Sequence, residues 1–130
     1  MFKGQFRALV VDDNPGHRQL FRAILTALGV EVDMAADGEE AVIAAKTCDY
    51  ELILMDLSMP KLDGLAATRL IRAHETATSA PRANIIMVTS HGAAEDFVRS
   101  AQVGADGHVT KPVDIAGLMA VIEGRYLSAA

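Results

Sequence analysis

The 130 residues of the chain are enough for one domain with a single hydrophobic core. Apolar residues make up 51% of the chain and charged residues 22%, a balance that excludes an intrinsically disordered segment. The net charge of −5 argues against broad contact with nucleic acid. No apolar run reaches the roughly 18 residues of a membrane helix, and the amino-terminal segment lacks the signal-peptide pattern. We therefore expect a cytoplasmic protein without membrane contact of its own.

Short β-rich runs alternate with stretches of helical spacing along the chain. The predicted strands lie at 8–11, 31–35, 52–55, 84–88 and 107–110. Five helices are predicted to follow them: one from Pro15 to Gly29, one at 38–46, one starting near Gly64, one ending at Gly104 and one reaching Tyr126. The polar segment 74–83 is predicted to be a loop. Strand and helix in strict alternation, with apolar strands, predict an α/β fold with a parallel sheet covered on both sides.

Polar side chains follow four of the five predicted strands. Asp12 and Asp13 follow the first strand, Asp56 the third, Thr89 the fourth and Lys111 the fifth. Because the carboxyl ends of parallel strands meet at one edge of a sheet, we expect these side chains to converge. Two carboxylates about 4 Å apart repel each other by roughly 4 kcal/mol at an effective dielectric constant of 20. The pattern therefore indicates either protonation or a bound cation, and oxygen ligands favour Mg²⁺.

The same groups suit phosphoryl chemistry. Mg²⁺ is commonly bound together with phosphate, and the ammonium of Lys111 and the hydroxyl of Thr89 can hold phosphoryl oxygens. Asp56 lies between them and is a candidate nucleophile for carboxylate phosphorylation. Taken alone, an acid after a strand is more often a turn or helix cap, which is our interpretation of Asp37 and Asp63. The conjunction of four strand ends favours the functional interpretation.

Five motifs in this order resemble the receiver domain of two-component response regulators, and the chain looks like a chemotaxis regulator. They are VVDDN at 10–14, LILMDLSMPKLDG at 52–64, VTS at 88–90, GAD at 104–106 and TKP at 110–112. The resemblance covers about residues 6–127. It implies a single receiver domain over 1–130 with a flavodoxin-like fold, a doubly wound five-stranded parallel sheet in the order 2-1-3-4-5.

The resemblance also implies a role for each site residue. Asp56 would be the phosphoacceptor, and Thr89 and Lys111 would contact the phosphoryl group. The peptide bond before Pro112 is usually cis in the family. The Mg²⁺ ligands would be Asp12 (mainly through water), Asp13, Asp56 and the backbone carbonyl of Ser58.

Three further positions are expected to tune the switch. In the family, phosphorylation draws inward the threonine and an aromatic residue three positions before the lysine. That position is His108 here, smaller than Tyr or Phe and titrating near neutral pH, and it is either a switch residue or a surface strand residue. Ser58 and His91 border the path of attacking water, and His91 either forms a hydrogen bond there or faces solvent. His17 and His74 are interpreted as surface residues.

The implied function is signalling by phosphorylation. A histidine kinase or histidine phosphotransfer protein would phosphorylate Asp56 in a Mg²⁺-dependent reaction, and the chain would catalyse only its own phosphorylation and dephosphorylation. The output would be contact with a downstream protein through the fourth helix, fifth strand and fifth helix, by a monomer or by a dimer formed on phosphorylation. A free-standing regulator and the receiver of a hybrid histidine kinase both fit.

Two alternatives come from other classes of protein. The first is a hydrolase that forms an aspartyl-phosphate, which usually needs a second acid where this chain has Ser58. The second is a protein-docking module that is never phosphorylated. Such a module would normally have lost one of the site residues, and Asp56, Lys111 and the acid pair are all present.

Overall fold

The computed structural model describes residues 6–57, 59, 61–90, 94–124 and 127–128. Five strands and five helices alternate along them, and a short sixth strand follows. The strands are β1 (Arg7–Val11), β2 (Glu31–Ala35), β3 (Leu52–Asp56), β4 (Asn84–Thr89), β5 (Gly107–Thr110) and β6 (Leu127–Ser128). The helices are α1 (Pro15–Ala27), α2 (Gly38–Thr47), α3 (Gly64–Thr78), α4 (Ala94–Val103) and α5 (Ile115–Ile122). None of the described helices is long and apolar enough to cross a membrane.

One sheet contains all six strands in the order β2-β1-β3-β4-β5-β6. The first five strands pair in parallel, which confirms the predicted doubly wound sheet with the order 2-1-3-4-5. β6 pairs antiparallel with β5 and forms the edge of the sheet. This strand was not predicted, because two residues carry no alternation pattern.

The sheet separates two apolar cores, because successive side chains of a strand point to opposite faces. On β1, Leu9 and Val11 pack in the core that α2 and α3 cover, whereas Ala8 and Val10 pack in the core that α1 and α5 cover. β3 and β4 are likewise buried on both faces. Burial on both faces explains the uninterrupted apolar runs of these strands.

Four of the described helices begin with a side-chain cap, in which a side-chain oxygen accepts a hydrogen bond from a backbone N–H in the first turn. The capping residues are Asn14, Asp37, Asp63 and Asp114. Asp37 and Asp63 are therefore caps, as interpreted from the sequence. Gly64 follows one of these caps, and a Cβ there would collide with the carbonyl oxygen of Asp56. The missing side chain lets α3 begin directly beside the end of β3.

Two helices end about four or five residues from the predicted positions, whereas the other described helices end within two residues of theirs. α3 continues to Thr78, through part of the segment 74–83, and ends where Ser79 takes the left-handed conformation with φ 55°. α5 ends at Ile122 instead of near Tyr126, and Tyr126 lies outside the described residues. Gly124, with φ 78°, turns the chain away from the helix. Helical spacing alone did not reveal that Gly124 adopts a positive φ, a conformation that glycine takes readily.

Candidate functional site

The three acids at the strand ends meet at the carboxyl edge of the sheet. Asp12 and Asp13 follow β1, and Asp56 is the last residue of β3. One carboxylate oxygen from each lies within 4.8 Å of the other two. Asp12 and Asp56 are buried, with 2% and 7% of their surface exposed, whereas Asp13 is exposed. The acids therefore converge as the order of strands predicts.

Contacts on both of its carboxylate oxygens hold Asp12 in place. Oδ1 accepts a hydrogen bond of 2.9 Å from the backbone N–H of Asn14. Oδ2 lies 3.3 Å from Nζ of Lys111 and 3.3 Å from Nδ1 of His17. The guanidinium of Arg18 donates a 2.7 Å hydrogen bond to the Asp12 carbonyl oxygen. These contacts supply the partners that a buried carboxylate requires.

Lys111 bridges two of the three acids. Its ammonium lies 3.3 Å from Oδ2 of Asp12 and 3.5 Å from Oδ2 of Asp56. Its backbone N–H donates a 2.7 Å hydrogen bond to the carbonyl oxygen of Thr89, so the ends of β4 and β5 are joined. The peptide bond between Lys111 and Pro112 is cis, as the family resemblance implies. One ammonium offsets only one of the three carboxylate charges.

The remaining negative charge and the oxygen donors fit Mg²⁺. The ion prefers carboxylate ligands, tolerates few protein ligands and keeps several waters. Asp12, Asp13 and Asp56 provide such a set. Ser58, which the resemblance adds as a carbonyl ligand, lies outside the described residues. The acidic cluster is therefore consistent with a Mg²⁺ site.

Thr89 and His91 were also predicted as site residues, and the structure describes only Thr89. Thr89 is the last residue of β4 and is buried, with 4% of its surface exposed. In the register of β3 and β4, Asp56 is opposite Val88, so Thr89 lies one position further toward the carboxyl edge. His91 lies outside the described residues, and both interpretations of it stay predictions.

The sequence pattern did not indicate the contact between His17 and Asp12. The side chain of His17 is 47% exposed, in line with its interpretation as a surface residue, yet its ring lies at the acidic cluster. The reason is the short β1–α1 connection, which places the first turn of α1 against the end of β1. A histidine five residues after the first acid was the only available signal.

A cavity of about 360 Å³ opens beside Lys111. Residues of α1 and of the β5–α5 connection line it, among them His17, Leu20, Phe21, Lys111, Pro112 and Val113. Its polar lining consists of Ser90, which follows β4, and of the two side chains that contact Asp12, and the rest of its wall is apolar. An apolar surface therefore adjoins the charged site.

His108 is completely buried, so its interpretation as a surface strand residue is wrong. α4 covers β5, and the ring stacks on Phe97 with centroids 4.1 Å apart and planes at 21°. Burial lowers the pKa of His108, and this effect outweighs the charge of Asp96, which raises it. The ring therefore occupies an inward position.

A family model described as the response regulator receiver domain matches residues 8–123. The chain belongs to the response regulator receiver family. This receiver domain is 38% identical over 116 residues to the chemotaxis protein CheY of Halobacterium salinarum, covering 89% of this chain and 92% of that protein. It is 36% identical over 116 residues to the sensor protein GacS of Pseudomonas syringae pv. syringae, covering 89% of this chain. The match spans only 13% of the length of GacS.

Solved structures agree with this assignment. The receiver domain of a sensor histidine kinase from Pseudomonas aeruginosa PAO1, with a magnesium ion coordinated in its active site cleft, has a TM-score of 0.82. It is 37% identical, and the match covers 93% of this chain and 96% of that one. The receiver domain of Ssk1 from Saccharomyces cerevisiae, solved with the histidine phosphotransfer protein Ypd1, has a TM-score of 0.85 at 26% identity, covering 94% and 89%. These matches confirm the family that five sequence motifs indicated. Receiver domains are phosphoacceptor signalling modules.

Replacing Asp13 by asparagine is expected to move metal affinity and stability in opposite directions. The change removes one of three mutually repelling carboxylates, so the metal-free chain should gain up to about 1 kcal/mol of unfolding free energy. The dissociation constant for Mg²⁺ should rise by about 10-fold to 100-fold. Calorimetric Mg²⁺ titration and urea unfolding measure the two effects. Asp49→Asn, at an exposed acid near the opposite end of β3, should change neither, and an unaltered Mg²⁺ affinity in Asp13→Asn would refute the site.

Proposed function

We propose that residues 1–130 form a single receiver domain, with its core at about 6–127, in which Asp56 accepts a phosphoryl group from a phosphohistidine of a partner protein. One observation carries this proposal. The buried carboxylate of Asp56 lies within 4.8 Å of two other acids and 3.5 Å from the ammonium of Lys111. The proposal is the same for a free-standing regulator and for the receiver of a hybrid histidine kinase.

The transfer itself is a substitution at phosphorus. A carboxylate oxygen of Asp56 attacks, a P–O bond forms, and the P–N bond to the donor imidazole breaks with its electron pair left on nitrogen. In this proposal, the ammonium of Lys111 contacts the phosphoryl oxygens, and the hydroxyl of Thr89, at the end of the neighbouring strand β4, donates a hydrogen bond to one of them. A bound Mg²⁺, held by the three acids and the proposed Ser58 carbonyl, would offset phosphoryl charge. Water later hydrolyses the acyl phosphate, which restores the Asp56 carboxylate and releases inorganic phosphate, so the chain catalyses only its own phosphorylation and dephosphorylation.

The phosphoryl donor would dock over the cavity beside Lys111. A phosphohistidine has to reach Asp56 from the carboxyl edge of the sheet, and this cavity is the apolar surface that adjoins the acids there. Leu20 of α1 lines it and is 52% exposed. A partner helix with an apolar face around its histidine matches that surface. The partner is therefore a histidine kinase or a histidine phosphotransfer protein.

Leu20→Asp is expected to slow phosphoryl transfer from a phosphotransfer protein by at least about tenfold, since a charge replaces an apolar contact at the docking surface. Labelling by acetyl phosphate, which needs no docking surface, should stay unchanged. The matched control is Leu70→Asp on α3, where the leucine is 47% exposed but lies away from the cavity. If both variants transferred equally well from the protein donor, the docking surface would lie elsewhere.

The output surface would be the face of α4, β5 and α5. The ring of Phe97 on α4 stacks on His108 of β5, and Lys111 follows His108 by three residues. A displacement at Lys111 can therefore reach α4 along one strand. Val98 and Ile115 leave 55% and 58% of their surface exposed on this face, as a binding surface for a downstream protein or a second copy requires.

The mass of the intact protein after incubation with Mg²⁺ and acetyl phosphate tests the proposal. We expect one phosphoryl adduct, lost when EDTA removes Mg²⁺. Some receivers react only with a protein donor, so binding of beryllium fluoride, a mimic of the phosphoryl group, is measured in parallel. If neither the adduct nor beryllium fluoride binding appeared, the chain would be a docking module that is not phosphorylated.

A further inference from the structure

Two buried polar side chains lie on α4 and β5, which pack together through Phe97 and His108. Ser100 of α4 and His108 of β5 are both 0% exposed. Among the described residues, neither the Ser100 hydroxyl oxygen nor either ring nitrogen of His108 has a hydrogen-bond partner. Buried polar atoms are nearly always paired in folded proteins, so an unpaired set in one interface requires an explanation. Both elements therefore bury polar atoms that have no hydrogen-bond partner among the described residues.

The surroundings of His108 favour its neutral form. On α4, Phe97 covers the ring, and the charge that acts on it is that of Asp96, which forms an ion pair of 3.6 Å with Arg99. On β4, the residue opposite is Met87, which has no charge. On β6, the residue paired with His108 is Leu127, which has no charge. Lys111 directly follows β5, and its ammonium contacts Asp12 and Asp56. Among the described residues, Asp96 is thus the one carboxylate that could offset the charge of a protonated His108 ring, and it already forms an ion pair with Arg99.

We propose that His108 makes the packing of α4 on the sheet sensitive to protons: the neutral ring holds α4 through Phe97, and a protonated ring leaves this site and loosens α4. Burial lowers the pKa of His108, in the direction that this proposal requires. The packed arrangement is then unaffected above about pH 6.5, the ordinary value for an exposed histidine. It loses stability as the pH falls from there toward the lowered pKa, because the opened form binds the proton more tightly.

The functional consequence of proton uptake at His108 concerns the face formed by α4, β5 and α5. This consequence rests on the proposed function, whereas the titration itself does not. Phosphorylation at Asp56, acting through Lys111 after β5, and proton uptake at His108 within β5 would both act on α4. Acid would therefore weaken binding of a partner that reads α4 in its packed position. The titration of His108 itself does not require phosphorylation of the chain.

An NMR titration of the full chain tests the proposal directly. We expect the His108 ring resonances, assigned by their loss in His108→Phe, to titrate below the ordinary value near 6.5. The backbone amides of α4 should shift with the same midpoint. A ring that titrates at the ordinary value, or α4 amides that do not follow the ring, would overturn the proposal. So would a ring that stays neutral until the whole chain unfolds.

Unfolding temperatures provide the second readout. Between about pH 7.5 and about pH 5.5, the wild type should lose more stability than His108→Phe, whose ring stacks on Phe97 but cannot take up a proton. His108→Leu is a second neutral replacement should the phenyl ring not fit. His74→Phe on α3 should keep the pH dependence of the wild type. Equal dependence in the wild type and both His108 variants would contradict the proposal, whatever the outcome of the phosphorylation test.

Discussion

Asp56→Asn is expected to abolish the phosphoryl adduct formed with acetyl phosphate and Mg²⁺. The amide has no negatively charged oxygen to attack phosphorus, and its loss of charge also weakens the attraction for the metal. The fold should persist, because asparagine has nearly the same shape and the end of β3 keeps its pairing with β4. The measurement is the intact mass of wild type and variant after equal incubation, with circular dichroism as the check on folding.

An acid in the connection between β3 and α3 provides the control for Asp56. Asp63 is exposed and caps α3 through its carboxylate. Asparagine is an equally good N-cap, so Asp63→Asn removes a charge without disturbing the helix. It should form the adduct as the wild type does. An adduct that persisted in Asp56→Asn would place the acceptor at a different residue, and peptide mapping would identify it.

Arg72→Met is expected to lower the free energy of unfolding by about 3 kcal/mol, the scale of breaking a buried ion pair. The Arg72 guanidinium lies 2.7 Å from the Asp106 carboxylate and 2.8 Å from the Glu75 carboxylate. It also donates hydrogen bonds to the carbonyl oxygens of Ala83 and Gly104. These bonds tie α3 to the start of β4 and to the turn before β5. Urea unfolding measures the change.

Arg82 provides an internal comparison, because it contacts the same carboxylate. Arg72 and Arg82 each lie 2.7 Å from Asp106, but their side chains are 12% and 60% exposed. Arg82→Met should therefore lower the free energy of unfolding by less than about 1 kcal/mol, as exposed ion pairs do. Equal losses in the two variants would mean that burial does not determine the strength of this network.

The parallel sheet and the acidic cluster were predictable from the strands themselves, whereas the strand order came from the family resemblance. β3 and β4 are buried on both faces, and such strands produce uninterrupted apolar runs that end at turn residues. Parallel pairing then places every strand end at one edge, so Asp12, Asp56 and Lys111 had to converge. Lys111 and Asp12 lie 99 positions apart in sequence, yet this rule places them at the same edge, where Nζ of Lys111 lies 3.3 Å from Oδ2 of Asp12.

The burial of His108 and the contacts of His17 and Asp106 could not be predicted, because no local sequence pattern indicates them. β5 is only four residues long, too short for alternation to assign His108 to a face. The contact of His17 with Asp12 depends on the angle at which α1 leaves β1. Asp106 stood out only as part of the GAD motif, and its bonds to Arg72 and Arg82 span 34 and 24 positions.

By itself, the sequence determined the parallel sheet and the set of acids at its carboxyl edge, because these follow from burial patterns and from residues at strand ends. It also indicated the family, through the resemblance of five motifs. Only the tertiary structure decided which side chains lie between the layers. Whether a ring such as His108 is buried depends on the helix that covers its strand, here α4 through Phe97. That packing is set by contacts between distant segments, which local periodicity does not encode.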